Sequence, residues 1–398
     1  MQPPVTPPPT VPAQLVRRLA EPLGFAMVGI APAEPSDHGD YLRQWLAEAR
    51  HGEMQYLDRN VEMRIDPAGL LAGARSVICV ADRHHADHEW AEANSGQAVG
   101  RIARYAWGDD YHKIIKKRLH RLADLLRQRW PDEQYRSAVD TAPILERDHA
   151  QRAGLGWIGK HTLLIHPRLG SWLLLGQIVT TLGIEPDDSD PPDPPDPPDP
   201  SDHRDRPMAD HCGTCTRCID ACPTDCISTD GYQLDASRCI SYLTIEHRGP
   251  IDEPMHALMG DWVAGCDVCQ EVCPFNRAEE YNSSRPEDGG VSGGGSGGGG
   301  VRREYAPRAY ADGLMLLELM KWDAQARQDA FTGSALKRIK LDQLKRNALI
   351  AAGNYLARHN DPALHARIEQ LACAGDESPL VRQTAAQVLA TLARRSGS

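Results

Sequence analysis

Nine of the eleven cysteines in this 398-residue chain fall between residues 212 and 273, and their spacing limits what the chain can fold into. The run Cys212-x2-Cys215-x2-Cys218-x3-Cys222-Pro223 has the spacing of a bacterial two-cluster ferredoxin. In such a run three thiolates hold one 4Fe–4S cluster, and the fourth, before the proline, binds the other cluster. The sequence therefore predicts a two-cluster iron–sulfur region.

The second run, Cys266-x2-Cys269-x3-Cys273-Pro274, is one cysteine short, and either Cys239 or Cys226 supplies it. Cys226 follows Cys222 closely, where the geometry favours a small buried residue, so we leave it unligated. Cluster one then takes Cys212, Cys215, Cys218 and Cys273. Cluster two takes Cys222, Cys239, Cys266 and Cys269. A pair of structural zinc sites is the alternative, but zinc ribbons carry two CxxC pairs, and the third cysteine and the Cys-Pro endings favour iron–sulfur.

The formal net charge of −11 is concentrated in one segment. Residues 185–205 hold nine acidic residues and one arginine, whereas residues 301–398 carry 15 Lys and Arg against 10 Asp and Glu. A polyanionic partner such as a nucleic acid is therefore compatible with this chain.

No apolar run approaches the roughly 20 residues that cross a bilayer, and the Pro-rich N-terminus lacks the pattern of a secretory signal. We expect a cytoplasmic protein that does not enter the membrane.

Apolar patterns predict an α/β domain over residues 13–184. Short buried strands are expected at 25–30, 76–81, 135–139 and 173–181. The last is continuously apolar, as in a sheet covered on both faces. Residues 112–130 have the apolar spacing of an amphipathic helix. The alternation of strands and helices indicates one α/β domain.

Low-complexity segments delimit the other regions. Residues 1–12 are Pro-rich and expected to be disordered, the Asp/Pro-rich segment 185–206 is expected to be an extended insert, and 281–302 is expected to be a flexible Gly-rich linker. The two-cluster region occupies 207–280. Residues 303–398 have helical apolar spacing at 336–356 and 379–392, typical of stacked helical hairpins that pack on the rest of the chain.

A glycine-rich segment, Gly154-Leu-Gly156-Trp-Ile-Gly159-Lys160-His161, matches two nucleotide-binding patterns incompletely. The dinucleotide pattern needs a strand before it, where a helix is predicted, and the phosphate-loop pattern needs a hydroxyl residue in place of His161. We interpret the segment as a turn that lets the backbone approach another large flat ligand.

Asp140 follows a predicted strand, and a carboxyl group at the end of a buried strand often faces a site. Partial burial would raise its pKa enough for general-acid chemistry. A helix cap for the segment that begins near Pro143 is the alternative interpretation.

A basic cluster in the C-terminal region is either a phosphate-binding surface or a solvated helix face. It consists of Lys337, Arg338, Lys340, Lys345 and Arg346.

Six segments together resemble the epoxyqueuosine reductase family, whose members complete queuosine synthesis in tRNA. They are Arg104–His112, Val139–Arg147, Gly156–Lys160, Cys212–Cys218, Cys239–Glu246 and Gly265–Asn276. The resemblance runs from about residue 13 to the C-terminus, apart from the two low-complexity inserts.

The resemblance implies a cobalamin-binding α/β domain related to nitroreductases, a two-cluster ferredoxin-like domain and C-terminal HEAT-like helices that help to hold tRNA. Electrons from an external donor would pass through the clusters to cobalamin and reduce the epoxide of epoxyqueuosine at the wobble position of the tRNA anticodon. Asp140 would be the proton donor. Implied cobalamin contacts are Arg64, Tyr105, Asp140, Lys160, Leu164 and Ser241. We expect a monomer.

Two other functions compete with this one. The first is a corrinoid reductase of a small molecule, similar to the reductive dehalogenases. The second is a ferredoxin-type electron carrier without catalysis. The missing export signal and the basic tail favour the tRNA enzyme, and a carrier alone would not need a chain of this length.

Overall fold

The structure, a computed structural model, describes residues 10–84, 96–186, 207–276 and 301–396. The strands in these ranges are β1 (Thr10–Pro12), β2 (Met27–Pro32), β3 (Ser76–Arg83), β4 (Val99–Ile102), β5 (Tyr135–Ala138), β6 (Trp157–Ile158), β7 (Leu164–Ile165), β8 (Leu173–Thr180), β9 (Gly183–Glu185), β10 (Trp262–Ala264) and β11 (Leu314–Met315). The α-helices are α1 (Ala13–Ala20), α2 (Gly39–Ala47), α3 (Val61–Ile65), α4 (Pro67–Leu70), α5 (Tyr111–Arg129), α6 (Glu146–Arg152), α7 (Arg217–Asp220), α8 (Ile240–Ile245), α9 (Glu253–Met259), α10 (Val268–Glu271), α11 (Leu316–Leu319), α12 (Ala324–Phe331), α13 (Leu341–Leu356), α14 (Pro362–Cys373) and α15 (Pro379–Ser396). Within these ranges we find no helix that combines the length and the apolar character needed to span a membrane.

A four-stranded antiparallel sheet in the order β2-β3-β8-β5 forms the centre of the N-terminal half. The two central strands are apolar, and Ile78 of β3 lies opposite Ile178 of β8. Helices α1 and α5 cover one face, where Ile115 is fully buried. Helix α6 and the turn after it cover the other face through Ala150 and Leu155. Both faces are covered, as the continuous apolar pattern predicts.

The chain is already ordered at residues 10–12, which we expected to be disordered. They form β1, which pairs in parallel with β9, so that Thr10 lies opposite Gly183. Val11 is buried in the core beside α1. Proline is tolerated on such an edge strand, and the apolar contact of Val11 stabilises it. The expectation was therefore wrong for these three residues, and residues 1–9 lie outside the described ranges.

A second sheet joins three distant parts of the chain. β4 lies between β10, its parallel neighbour, and β11, its antiparallel neighbour. The strands approach closely at Gly100, where an added Cβ would lie 2.4 Å from the Val263 side chain. β10 ends two residues before Cys266. Its pairing with β4 therefore attaches the beginning of the second cysteine run to the N-terminal half.

The C-terminal helices pack on the rest of the chain, as predicted. Helices α13, α14 and α15 form a common core with α11. Arg346 of α13 is fully buried, and its guanidinium donates hydrogen bonds to the carbonyl oxygens of Leu243, His247 and Gly249 at 2.5, 2.9 and 2.6 Å. Polar side chains of α13 therefore hold the cysteine-rich region in place.

Candidate functional site

Asp140 lies two residues after the end of β5 and has a left-handed backbone conformation, with a φ of +50°. For a residue other than glycine this conformation costs about 1–3 kcal/mol, so the surroundings must hold it. The Asp140 N–H donates a hydrogen bond to Glu146 Oε1 at 2.7 Å, and the Asp140 carboxylate lies 2.9 Å from His112 Nε2. Helix α6 begins after Leu145 without a side-chain cap, so Asp140 is not a helix cap.

The Asp140 carboxylate lies where residues of the N-terminal half and Arg338 of the C-terminal region come within electrostatic reach of one another. Its side chain is 44% exposed, and the charges of Arg338 and Arg147 both act on it. Its own charge acts on three tyrosines, Tyr56, Tyr105 and Tyr111. We call this group the Asp140 cleft. It comprises Tyr56, Tyr105, Tyr111, His112, Asp140, Arg147 and Arg338.

Arg64 lies beside the cleft on helix α3. Its guanidinium Nη2 donates a hydrogen bond to the carbonyl oxygen of Tyr56 at 3.1 Å. Its Nε is buried and has no hydrogen-bond partner among the described residues. A buried donor without a partner is costly in a folded protein, so this atom is suited to a ligand. The cobalamin contact expected of Arg64 stays a prediction.

The electrostatics of Asp140 differ from the expectation. Burial acts to raise the pKa of Asp140, but the hydrogen bond to His112 and its charge outweigh burial, and this pKa lies below its ordinary value. The predicted raised pKa is therefore wrong in this arrangement, because the prediction did not include His112.

The raised carboxyl pKa belongs to the neighbouring Glu146. Burial and the charge of Asp140 raise the pKa of Glu146 to about 8. For His112, burial acts to lower the pKa, but Asp110 and Asp140 together raise it to about 9. At neutral pH the proton therefore lies on Glu146 and on the imidazole, not on Asp140.

The clustered cysteines lie close together in the structure, and their division between two clusters stays a prediction. In the first, Cys273 lies within electrostatic reach of Cys212, Cys215 and Cys218. In the second, Cys266 interacts with Cys239 and Cys222, and Cys269 with Cys266 and Cys239. All eight are free thiols and are half-buried or buried. Among the described residues, we find no set of three His, Cys, Asp or Glu side chains arranged for a single metal ion. Two sets of four thiols are the donor sets that two 4Fe–4S clusters require.

Cys226 lies inside the second group without belonging to the predicted ligands. Its Sγ is 3.3 Å from the Cys222 Sγ, and its thiol also hydrogen-bonds to Cys239. Only 5% of the residue is exposed. These contacts suit a thiol that donates a hydrogen bond to the sulfur of a ligand.

Two expected cofactor contacts have other roles. Lys160 Nζ donates hydrogen bonds to the carbonyl oxygens of Gly213 and Cys215, at 2.7 and 3.0 Å. Leu164 is 3% exposed and packs in the core against the central sheet. The ammonium group of Lys160 thus supports the loop of the first cysteine group, and the Leu164 side chain is enclosed by apolar neighbours. The cobalamin contacts expected of these two residues stay predictions.

Tyr105 and Ser241 lie near the second cysteine group. Tyr105 packs against the same buried core as Cys239 and Cys266, and it also lies within reach of the Asp140 charge. The Ser241 backbone hydrogen-bonds to the Cys239 thiol at the start of α8. The second group and a residue of the cleft therefore share one core.

The glycine-rich segment follows helix α6 and leads into β6, which is the reverse of the order that a dinucleotide site needs. A Cβ on Gly156 would lie 2.2 Å from the Ile165 carbonyl oxygen. Glycine is therefore required for the β6–β7 hairpin. At Gly156 the close approach is to the protein's own backbone, which corrects our interpretation that it serves a flat ligand.

The basic cluster does not form one surface. Arg346 is buried against carbonyl oxygens, and Lys345 is buried and paired with Glu377. Arg338 pairs with Glu246 at the Asp140 cleft. Only Lys337 and Lys340 remain as freely exposed members of the cluster.

Sequence analysis did not single out His112, Glu146 or Tyr56. The first two lie within the segments Arg104–His112 and Val139–Arg147 that carry the family resemblance, so the resemblance could have identified them. Tyr56 lies in a turn-rich stretch without a recognisable pattern.

The fold and the two thiol groups define the class of protein, an iron–sulfur protein with a covered α/β sheet. A family described as a 4Fe-4S double cluster binding domain matches residues 211–276. A second family, "Epoxyqueuosine reductase QueG, DUF1730", matches residues 64–141, which include Asp140. The chain belongs to the epoxyqueuosine reductase family.

The relatives cover most of the chain. The epoxyqueuosine reductase of Synechococcus sp. (strain CC9605) is 37% identical over 85% of this chain and 93% of that protein. That of Vibrio cholerae is 36% identical over 86% of this chain and 83% of that protein. A crystal structure of epoxyqueuosine reductase with a tRNA-Tyr epoxyqueuosine-modified stem loop matches with a TM-score of 0.78 and 25% identity, over 96% of this chain and 90% of that one.

Proposed function

We propose that this chain reduces the epoxide of epoxyqueuosine at the wobble position of the tRNA anticodon and so produces queuosine. The observation that carries the proposal is the partly exposed Asp140 carboxylate, with its histidine and arginine neighbours, in a chain that belongs to the epoxyqueuosine reductase family. A relative of the same fold is described with an epoxyqueuosine-modified stem loop, which supports tRNA as the substrate. Because tRNA is the substrate, we place the reaction in the cytoplasm.

Two 4Fe–4S clusters fit the thiol groups. Cluster one would take Cys212, Cys215, Cys218 and Cys273. Cluster two would take Cys222, Cys239, Cys266 and Cys269. Tyr105 of the cleft packs on the same core as Cys239 and Cys266, which favours cluster two as the one nearer to the cleft, with an external electron donor acting at cluster one.

Cobalamin fits the polar and aromatic character of the Asp140 cleft. The proposed contacts are Arg64, Tyr105, Asp140 and Ser241, and the unpartnered buried Nε of Arg64 suits an amide group of such a ligand. The α/β half would then be a nitroreductase-like cobalamin domain over 13–184, followed by a ferredoxin-like domain over 207–280. The C-terminal region 303–398 would be HEAT-like, and we infer that its exposed Lys337 and Lys340 contact tRNA phosphates in a monomeric enzyme.

The chemistry assigned to the chain's own residues is proton delivery. When bound, the clusters and cobalamin supply electrons to the epoxide carbon. Asp140, which is ionised at rest at neutral pH, takes up a proton from its surroundings and donates it to the epoxide oxygen as the C–O bond breaks, which avoids a free alkoxide. Arg147 and Arg338 stabilise the carboxylate that remains, because their charges already lower the pKa of Asp140.

The test is turnover of an epoxyqueuosine-modified stem loop by the reconstituted enzyme, followed by mass spectrometry of nucleosides. We expect queuosine from the wild type and a loss of about 10²–10⁴-fold in Asp140→Asn. About eight iron atoms and one cobalt per chain are expected. Iron without cobalt would indicate an electron carrier, and corrinoid-dependent activity only on a small molecule would indicate a dehalogenase-like reductase.

A further inference from the structure

Three side chains form a continuous hydrogen-bonded chain that ends at Asp140. The Asp110 Oδ1 lies 2.7 Å from His112 Nδ1, and His112 Nε2 lies 2.9 Å from Asp140 Oδ2. Since both ring nitrogens face carboxylate oxygens, both are positioned as donors, which is the arrangement of an imidazolium. A proton on this ring therefore already points at the carboxylate that we assign as the donor.

Local structure fixes the ring in this position. Asp110 is the N-cap of α5 and also accepts a hydrogen bond from the His112 N–H at 3.2 Å. The ring of Tyr111 stacks on the imidazole, with 3.9 Å between ring centroids. The His112 side chain is 25% exposed, so the ring touches both solvent and the Asp140 cleft. It can take up a proton on one side and release it on the other.

The proposed reaction consumes more protons than Asp140 can hold. Reduction of an epoxide to an alkene breaks two C–O bonds, forms one C=C bond and releases the oxygen as water. It therefore uses two electrons, which the external donor supplies, and two protons. Asp140 carries one proton at a time, so it must be reloaded during each turnover.

We propose that His112 is the residue that reloads Asp140 with protons, and that Asp110 positions the His112 ring for this transfer. This inference rests on the proposed function. In each transfer the N–H bond of the imidazolium breaks, an O–H bond forms on Asp140, and the neutral ring takes up a proton from solvent. No electrons move in this step.

The charges around the pair determine how it depends on pH. Asp110 and Asp140 face the ring directly, and Glu146 lies behind Asp140. Arg147 and Arg338 act on Asp140 from the opposite sides. The pKa of His112, about 9, is above its ordinary value. The imidazole ring is therefore protonated below pH 9 and loses its proton as the pH rises above that value.

Tyrosines complete the surroundings of the pair. Burial raises the pKa of Tyr105 and of Tyr111 above the ordinary value, and it is also the main cause for Tyr56. All three therefore remain neutral over the pH range in which His112 titrates, and none of them competes as a proton source.

The experiment compares His112→Gln with the wild type in reconstituted enzyme that acts on the modified stem loop. We expect kcat to fall about 100-fold with little change in KM, and the alkaline limb of the pH profile to move to lower pH. Asp110→Asn keeps the ring, and it should lower kcat less while moving the limb in the same direction. His120→Gln is the matched control, because His120 is exposed on the same helix.

A readout without turnover uses NMR titration of the histidine rings. The pKa of His112 should fall from about 9 toward its ordinary value in Asp140→Asn. If His112→Gln keeps the wild-type kcat and pH profile, the relay is wrong while the proposed function stands. If the wild type does not form queuosine at all, the proposed function fails. The coupling between His112 and Asp140 is refuted separately, by an NMR titration in which Asp140→Asn leaves the pKa of His112 unchanged.

Discussion

The carboxyl group of Glu146 accepts a hydrogen bond of 2.7 Å from the backbone N–H of Asp140 and so holds that residue at a φ of +50°. Glu146 is the residue after the end of the Asp140 turn and begins helix α6. The turn that carries the proposed proton donor is thus fastened to the helix that follows it.

Replacement of Glu146 should separate positioning from protonation. In Glu146→Ala the hydrogen bond is lost and the strained turn relaxes, so we expect kcat/KM to fall about tenfold, in line with a bond of about 0.5–1.5 kcal/mol. Glu146→Gln keeps an acceptor oxygen and should retain most of the activity. Steady-state kinetics on the modified stem loop measure both. Equal losses in the two variants would mean that the carboxyl proton, and not the bond to Asp140, is what matters.

The roles of Cys222 and Cys226 can be separated by iron analysis. Cys226→Ala should retain about eight iron atoms per chain, whereas Cys222→Ala should retain about four, because only the second removes a cluster ligand. Iron determination and electron paramagnetic resonance of the reduced protein provide the measurement. If Cys226→Ala loses half of the iron, then Cys226 is a ligand of cluster two, and either Cys222 or Cys239 is not.

Lys160→Met should weaken cluster one and leave cobalamin in place. Its ammonium group holds two carbonyl oxygens of the cluster loop, and a hydrogen bond from a charged group contributes about 1.5–3 kcal/mol. We expect iron to be lost to a chelator about tenfold faster. Exposed Lys337→Met serves as the control. Loss of cobalamin with unchanged iron release would restore Lys160 as a cofactor contact.

Acid should destabilise the protein through His149, which is fully buried in α6. Burial lowers the pKa of His149 to about 4, below its ordinary value of 6.5. The unfolded chain therefore binds the proton more readily, and this contribution to stability is complete above pH 6.5 and is lost as the pH falls toward 4. A shift of this size corresponds to on the order of 3 kcal/mol.

His149→Gln does not titrate, so its free energy of unfolding should depend less on pH between 6.5 and 4 than that of the wild type. Denaturant unfolding at several pH values measures the difference, and His120→Gln is again the exposed control. A slope equal to that of the wild type would show that His149 is not the group responsible.

The parts of the fold that the sequence predicted are those with strong local patterns. Strands β3 and β8 are continuous apolar runs, and helix α5 has regular apolar spacing, so each was placed within a few residues. The two cysteine groups followed from spacing alone. The sheet β10-β4-β11 was not predicted, because its strands span two to four residues and their partners are far apart in the chain.

The Asp140 site was predicted in part for the same reason. Its position at the end of a strand is a local feature, but its protonation depends on His112, which is 28 residues earlier, and on Arg338 from the other end of the chain. The prediction of the Asp140 pKa from the neighbouring sequence included the effect of burial but not the effect of these distant charges. The hydrogen bonds of Lys160 to the first cysteine loop were not predicted, because adjacency in sequence does not give the direction of a side chain.

The pairing of β4 with β10 and β11 has a consequence for how this protein matures. A ribosome releases β4 long before either of its neighbours, so β4 stays unpaired until β10 and then β11 have been made. The second group of thiols includes Cys266 and Cys269, which follow β10, so this group cannot be complete before that part of the chain exists. A nascent chain that ends before β10 therefore lacks both the ligands and the strand that positions them.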